Sequence, residues 1–204
     1  MAVNEGKPSK IGLLGGSFDP VHLAHIALAE TALHTLSLDE VQLIPAAAPW
    51  QKTGLSASAN QRLHMLQLAV RDRPGLSVNP IEINRGGASY TIDTLLALPG
   101  NAEYYWILGS DQLNNFCTWH RWQEIASMVR LVVAQRPGAE PQTPQALLTH
   151  LETQGRTLIF LPFAPLSISA TAIRQRLAQG QTVDHLLDES VLQYIHTQRL
   201  YQAV

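Results

Sequence analysis

The chain reads as an α/β protein, a parallel sheet covered by helices on both faces. Short apolar runs alternate with helix-patterned stretches along its length, the βαβα order such a sheet requires. Its 204 residues suit one domain, and an apolar content of 46% can fill a sizeable core. There is no internal repeat and no low-complexity segment. Crossovers in such sheets are right-handed, and ligands sit beyond the strand C-termini. The residues just after each strand are therefore the ones to interrogate.

The elements follow in order. Residues 1–9 are polar and expected as a flexible tail to a single domain spanning 1–204. "KIGLLGG" (10–16) predicts a buried first strand, and "HLAHIALAETALHTL" (22–36) a helix. "EVQLIPA" (40–46) predicts the second strand; a polar loop then leads into the helix "NQRLHMLQLAVRD". "LSVNPIEI" (76–83) is strand-like, and "SYTIDTLLAL" starts a helix. "EYYWILG" (103–109), "RLVVAQRP" (130–137) and "TLIFLP" (157–162) predict three more strands. Helices are expected over 143–154, 169–179 and 188–198, the last forming a small helical C-terminal segment.

Composition removes several classes of function. No apolar run reaches the length of a membrane span, and the N-terminus lacks a signal peptide's apolar region. A cytoplasmic protein is expected. The formal net charge of −2 gives no basic excess for a general nucleic-acid surface. The single cysteine, Cys117, permits no intrachain disulfide, and "NFCTW" supplies no adjacent base to activate it.

The first strand ends in "GLLGGSFDPVHLAH" (12–25). Its glycines do not fit the dinucleotide fingerprint G-x-G-x-x-G, and no Walker-type loop occurs. Even so, the parts of a phosphate site are present. Gly15 and Gly16 permit close backbone approach, Asp19 can cap or brace the turn, and Pro20 suits the approach to a helix. That helix points its free N–H groups and positive dipole end at the loop. His22 and His25, at i and i+3, share a face near that end and can donate to phosphate oxygens, more strongly if protonated. A metal site would need a third ligand. A tight turn with partly buried histidines is the remaining reading. Far along the chain, "SISATAIRQRL" (167–177) opens with hydroxyl residues. Ser169 suits a helix N-cap, and Ser169, Thr171 and Arg174 can face a phosphate. Alternatively, this is a capped helix with a surface arginine.

"GGSFDPVHLAH" closely resembles the G-x-F-D-x-x-H-x-G-H signature of the nucleotidyltransferase superfamily, with Ala24 in place of the glycine between the histidines. "ISATAIR" resembles the superfamily's I-S-[ST]-T-x-I-R motif, about 145 residues away. The resemblance implies a Rossmann-like sheet of the nucleotidyltransferase type. It also implies an ATP site including Gly15, Gly16, Ser17, Phe18, His22, His25, Ser169, Thr171 and Arg174.

Further segments narrow the resemblance to bacterial nicotinate-nucleotide adenylyltransferases. "ILGSDQLNNFCTWHRW" (107–122) resembles their G-x-D…W motif, "GASYTIDTL" (87–95) their S-Y-T-x-x-T-L segment, and "VVAQRPG" (132–138) their strand-R-P-G pattern. The likeness spans residues 11 to 201. It implies backbone N–H groups near Thr91 and His120 on the nicotinate carboxylate, and Trp119 stacked on the ring. Tyr90 and Arg136 belong to the same subsite, and Gly109 and Asp111 to the ATP side. By composition alone, Trp119 and Trp122 could equally be core, and Asp111 an N-cap. Many relatives carry P-P-H-[KR] where this chain has "PWQK" (49–52): Lys52 keeps the cation, Gln51 replaces a histidine, and Trp50 either meets substrate or anchors the loop.

The implied reaction joins ATP to nicotinate mononucleotide, giving nicotinate adenine dinucleotide and pyrophosphate. The acceptor phosphate is already an anion, so positioning and charge stabilisation carry the rate. His22, His25, Lys52 and Arg174 are the expected catalytic side chains. Mg²⁺ would accompany the triphosphate without a protein carboxylate cage. Expected partners are ATP and the mononucleotide, without nucleic acid or membrane, and a homo-oligomer stays open. Two alternatives share these motifs: an adenylyltransferase acting on phosphopantetheine or flavin mononucleotide, and a nucleotide-binding module without turnover.

Overall fold

The computed structural model describes residues 7–48, 55–135, 142–164, 166 and 168–202. Its elements run β1 (Ser9–Gly16), α1 (Leu23–Thr35), β2 (Glu40–Pro45), α2 (Ala59–Val70), β3 (Leu76–Val78), α3 (Ile81–Arg85), α4 (Thr91–Leu96) and β4 (Ala102–Gly109). They continue with α5 (Ser110–Asn114), a 3-10 turn (Phe116–Thr118), α6 (Trp122–Met128), β5 (Arg130–Gln135), α7 (Gln145–Thr153), β6 (Ile159–Pro162), α8 (Ala170–Ala178) and α9 (Glu189–Thr197).

The strands form one parallel sheet in the order β3-β2-β1-β4-β5-β6. The order reverses at β1, which pairs with β2 on one side and β4 on the other. That reversal opens a crevice at the strand C-termini, where ligands of such sheets bind. Neighbouring residues of β1 supply both cores, since side chains alternate across a strand. Leu14 packs in a cluster with Ile26 of α1, Leu66 of α2, Ile173 of α8 and Ile195 of α9. Leu13 packs on the other face with Ile92 of α4, Leu113 of α5, Ile125 of α6 and Leu147 of α7. Helices thus cover both faces, as a parallel sheet demands. Among the described residues no helix is long and apolar enough to cross a membrane.

Most element boundaries match the sequence pattern, with two differences. β1 begins at Ser9, which pairs with Ala102, so the sheet reaches into the expected tail. The strand expected over 76–83 stops at Val78, and its second half is the helix α3. Asn79 causes the change. Its backbone N–H still reaches Leu43 in the sheet, while its side-chain oxygen accepts from the Ile81 N–H at 3.1 Å and starts a turn. Pro80 then takes the N-cap position of α3.

Candidate active site

β1 delivers the glycine loop to the crevice. A Cβ on Gly15 would lie 3.0 Å from the Trp106 ring, and one on Gly16 would lie 3.0 Å from the Phe18 ring. The glycines therefore make room first for the protein's own aromatic rings. Phe18 has a backbone φ of +47° and is 1% exposed, so its side chain belongs to the core beneath the loop. Only its backbone can serve a ligand. Gly15, Gly16 and Ser17 all line a cavity of about 290 Å³.

His22 is the N-cap of α1, and its backbone N–H donates to His25 Nδ1 at 3.3 Å. The two rings stack, with centroids 3.7 Å apart. An Nδ1 that accepts carries no proton, so neutral His25 holds its proton on Nε2. His25 lines the cavity. His22 is 7% exposed, and burial pulls its pKa from 6.5 down to about 4, leaving it neutral at neutral pH. The protonated form, which would donate more strongly, is therefore not the one His22 presents at neutral pH. Ala24 sits between them in the first turn of α1 and is not among the cavity-lining residues.

Asp19 braces this loop rather than capping α1. It is 2% exposed, and its carboxylate accepts from the N–H groups of Ser56 (2.8 Å) and Ala57 (3.1 Å) and from the Tyr201 hydroxyl (2.7 Å). Its carbonyl accepts from Arg174 Nη1 at 2.7 Å. That bond joins residues 155 apart in sequence and sets the start of α8 beside the glycine loop. Ser169 caps α8, accepting from the Ala172 N–H at 3.2 Å, while Thr171 meets Arg174 Nη2 at 3.4 Å. Both hydroxyl residues are exposed.

The other wall of the cavity comes from the far side of the crevice. Thr91 opens α4, with Tyr90 as N-cap and its ring 5.1 Å from that of His120. Thr91 and Trp119 line the cavity, whereas Tyr90 and the exposed His120 flank it. Trp119 also packs edge-on against Trp106 and tilted against Phe116, so it is both wall and core. Trp122 packs on the apolar cluster away from the cavity. Gly109 lines the cavity and is the N-cap of α5. Asp111 is exposed in that helix's first turn, so the capping alternative is not realised. Trp50, Gln51, Lys52 and Arg136 lie outside the described residues.

Several residues at this site carry no sequence signal. Arg62, on the apolar face of α2, is 1% exposed. Its guanidinium donates to the carbonyls of Ser17 (2.7 Å), Ala46 (2.6 Å) and Ala47 (3.2 Å), tying the ends of β1 and β2 together. Glu82, Trp106 and Gln112 line the cavity, and Tyr201 reaches Asp19 from the end of the chain. Cys117 stands apart, and burial pushes its thiol pKa up, as expected of a passive thiol.

A family model described as cytidylyltransferase-like matches residues 13–176. A probable nicotinate-nucleotide adenylyltransferase from Bordetella pertussis is 58% identical, over 95% of this chain and 98% of the relative. Another from Hydrogenovibrio crunogenus is 39% identical, over 94% and 97%. The chain belongs to the nicotinate-nucleotide adenylyltransferase family. In fold, the family resemblance extends to the Plasmodium falciparum nicotinic acid mononucleotide adenylyltransferase complexed with NaAD. The TM-score is 0.74 at 17% identity, over 95% of this chain and 97% of that one. This member of the family thus has the α/β nucleotidyltransferase fold, with its crevice at the reversal of strand order.

Proposed function

We propose that this chain transfers the adenylyl group of ATP to nicotinate mononucleotide, releasing pyrophosphate, in NAD biosynthesis. One observation carries the reading: the Arg174–Asp19 bond joins the histidine loop and the start of α8 beside a cavity walled by Thr91 and Trp119. Triphosphate and acceptor nucleotide can then meet over the loop. The acceptor phosphate attacks the α-phosphorus and pyrophosphate leaves in line, without a general base. His25 presents Nε2–H and stabilises charge developing on the phosphates, with neutral His22 stacked behind it. Arg174, Thr171 and the capped start of α8 hold the triphosphate, assisted by Lys52. Trp119 stacks on the pyridine ring, and N–H groups near Thr91 and His120 take its carboxylate.

A divalent cation accompanies ATP in this family's reaction, and Mg²⁺ is the ion proposed. Among the described residues no group of three His, Cys, Asp or Glu side chains converges. Because magnesium often keeps several waters, the ion is proposed to meet the protein through the triphosphate and water.

Pyrophosphate release from ATP, measured with each candidate acceptor, tests the reading. Nicotinate mononucleotide should support turnover, and the nicotinamide form much less; equal kcat/KM would remove the acid preference. No release with any acceptor would leave a binding module. Separately, folded His25→Ala should lower kcat by about 10²-fold, the scale of losing one preorganised donor. Near-normal turnover would reject that role.

A further inference from the structure

The cavity is not lined by donors alone. Among the described residues that line it, Glu82 of α3 is the acidic one. The residue is 5% exposed, and Thr94 of α4 donates its hydroxyl to Oε1 at 2.7 Å. Among the described residues, Thr94 is the group found donating to this carboxyl. Oε2 is nevertheless not one of the buried polar atoms left without a partner. Glu82 lines the cavity, so its carboxyl is within reach of a molecule bound there.

The chemistry of the acceptor restricts what Oε2 can meet there. Nicotinate mononucleotide carries a ring carboxylate and a phosphate, both of them acceptors and both anionic. Either one set against Glu82 would pair like charges in a half-enclosed site. The ring nitrogen is a quaternary pyridinium, cationic but without an N–H, so the hydrogen-bond donors on the molecule are its ribose hydroxyls. In a mononucleotide the ribose lies between ring and phosphate, and this cavity runs from Trp119 to His25. Glu82 is tied by Thr94 to α4, the helix that carries Thr91, which puts it on the acceptor side.

Building on the adenylyl-transfer reading, we propose that Glu82 binds the ribose hydroxyls of the acceptor nucleotide, with Thr94 holding the carboxyl in place. This lets an acidic side chain share a pocket with an anionic substrate: its charge faces the sugar, not the ring carboxylate.

The test is steady-state kinetics of the full chain with nicotinate mononucleotide and its 2′-deoxy and 3′-deoxy forms. The wild type should lose roughly ten-fold or more in kcat/KM on at least one deoxy acceptor, hydrogen bonds to charged groups being the strong class. Glu82→Gln should show a similar loss on the natural acceptor, mainly in acceptor KM, with the KM for ATP unchanged. The variant should also stop discriminating against that deoxy form. Should the glutamine variant not fold, Glu82→Asp, which draws the acid back by one methylene, reads the same loss of discrimination. A full deoxy penalty in the variant, a loss falling on the KM for ATP, or a gain on the natural acceptor would each overturn the role of Glu82 alone. No turnover by the wild type would overturn the adenylyl-transfer reading with it.

Discussion

At the scale of single residues, His22 shows how position decides chemistry. Its backbone bonds His25, its ring stacks on the same partner, and burial keeps that ring neutral near pH 7. The depressed pKa has a consequence for stability. As pH falls below 6.5, the unfolded chain takes up the proton first, while the folded ring resists until about 4. Stability conferred by neutral His22 is therefore complete above pH 6.5, lost as pH falls to about 4, and constant below that. Each pKa unit is worth about 1.4 kcal/mol, so the loss is on the order of 3 kcal/mol at most. Denaturant unfolding of wild type and His22→Asn at neutral pH and about pH 4.5 isolates this contribution. The variant should lose less stability between those conditions, by on the order of 2 kcal/mol. Equal losses would show that His22 does not carry the pH dependence. His22 and His25 were legible because their signature is local, a few residues around one helix start. Glu82 and Arg62 were not, since each acts across elements: Glu82 through Thr94 on another helix, Arg62 through the carbonyls of two strand ends.

At the scale of elements, legibility followed periodicity and end signals. The runs that became β1, β2, β4, β5 and β6 were all recognised, since each is a compact apolar stretch closed by a turn. α8 announced itself through Ser169, whose cap the structure shows. The failures lie where a second signal overrides the first. "LSVNPIEI" carries apolar spacing through to residue 83, but the Asn79 turn and Pro80 convert its second half into α3. The motif over 107–122 carries no helix signal, yet residues 110–128 hold α5, the 3-10 turn and α6. Each is too short to show a helical period. Tertiary packing holds them: Phe116 is fully buried among Trp119, Trp122 and Leu147, in contacts no local pattern encodes. This is also the segment that turns Trp119 toward the cavity, so the ring wall depends on the least legible part of the fold.

At the scale of the whole molecule, the proposed triphosphate side of the site is drawn from the two ends of the chain. The loop after β1 is held from below by Arg62, from the side by Arg174, and from the C-terminal end by Tyr201. Tyr201 is the simplest of these to test, because one atom makes its contact. Its hydroxyl donates to Asp19 Oδ1 at 2.7 Å, and burial together with the Asp19 charge holds its pKa far above the usual phenol range, so it remains a donor at any working pH. Tyr201→Phe keeps the ring and leaves Oδ1 with the Ala57 N–H alone, at a carboxylate 2% exposed. An under-satisfied buried charge of this kind costs roughly 1–3 kcal/mol. Part of that cost should appear as movement of the loop that Asp19 also links to Arg174. The variant should therefore unfold at lower denaturant concentration, and its KM for ATP should rise several-fold while the KM for the acceptor changes little. Trp119 and Thr91, the residues proposed to hold the acceptor, are positioned by other elements and have no bond to Asp19 among the described residues. A stability loss with both KM values unchanged would make Tyr201 a clasp for the C-terminal segment only. An equal rise in both would mean that the crevice deforms as one body, and that the two ends of the chain do not act on the triphosphate side alone.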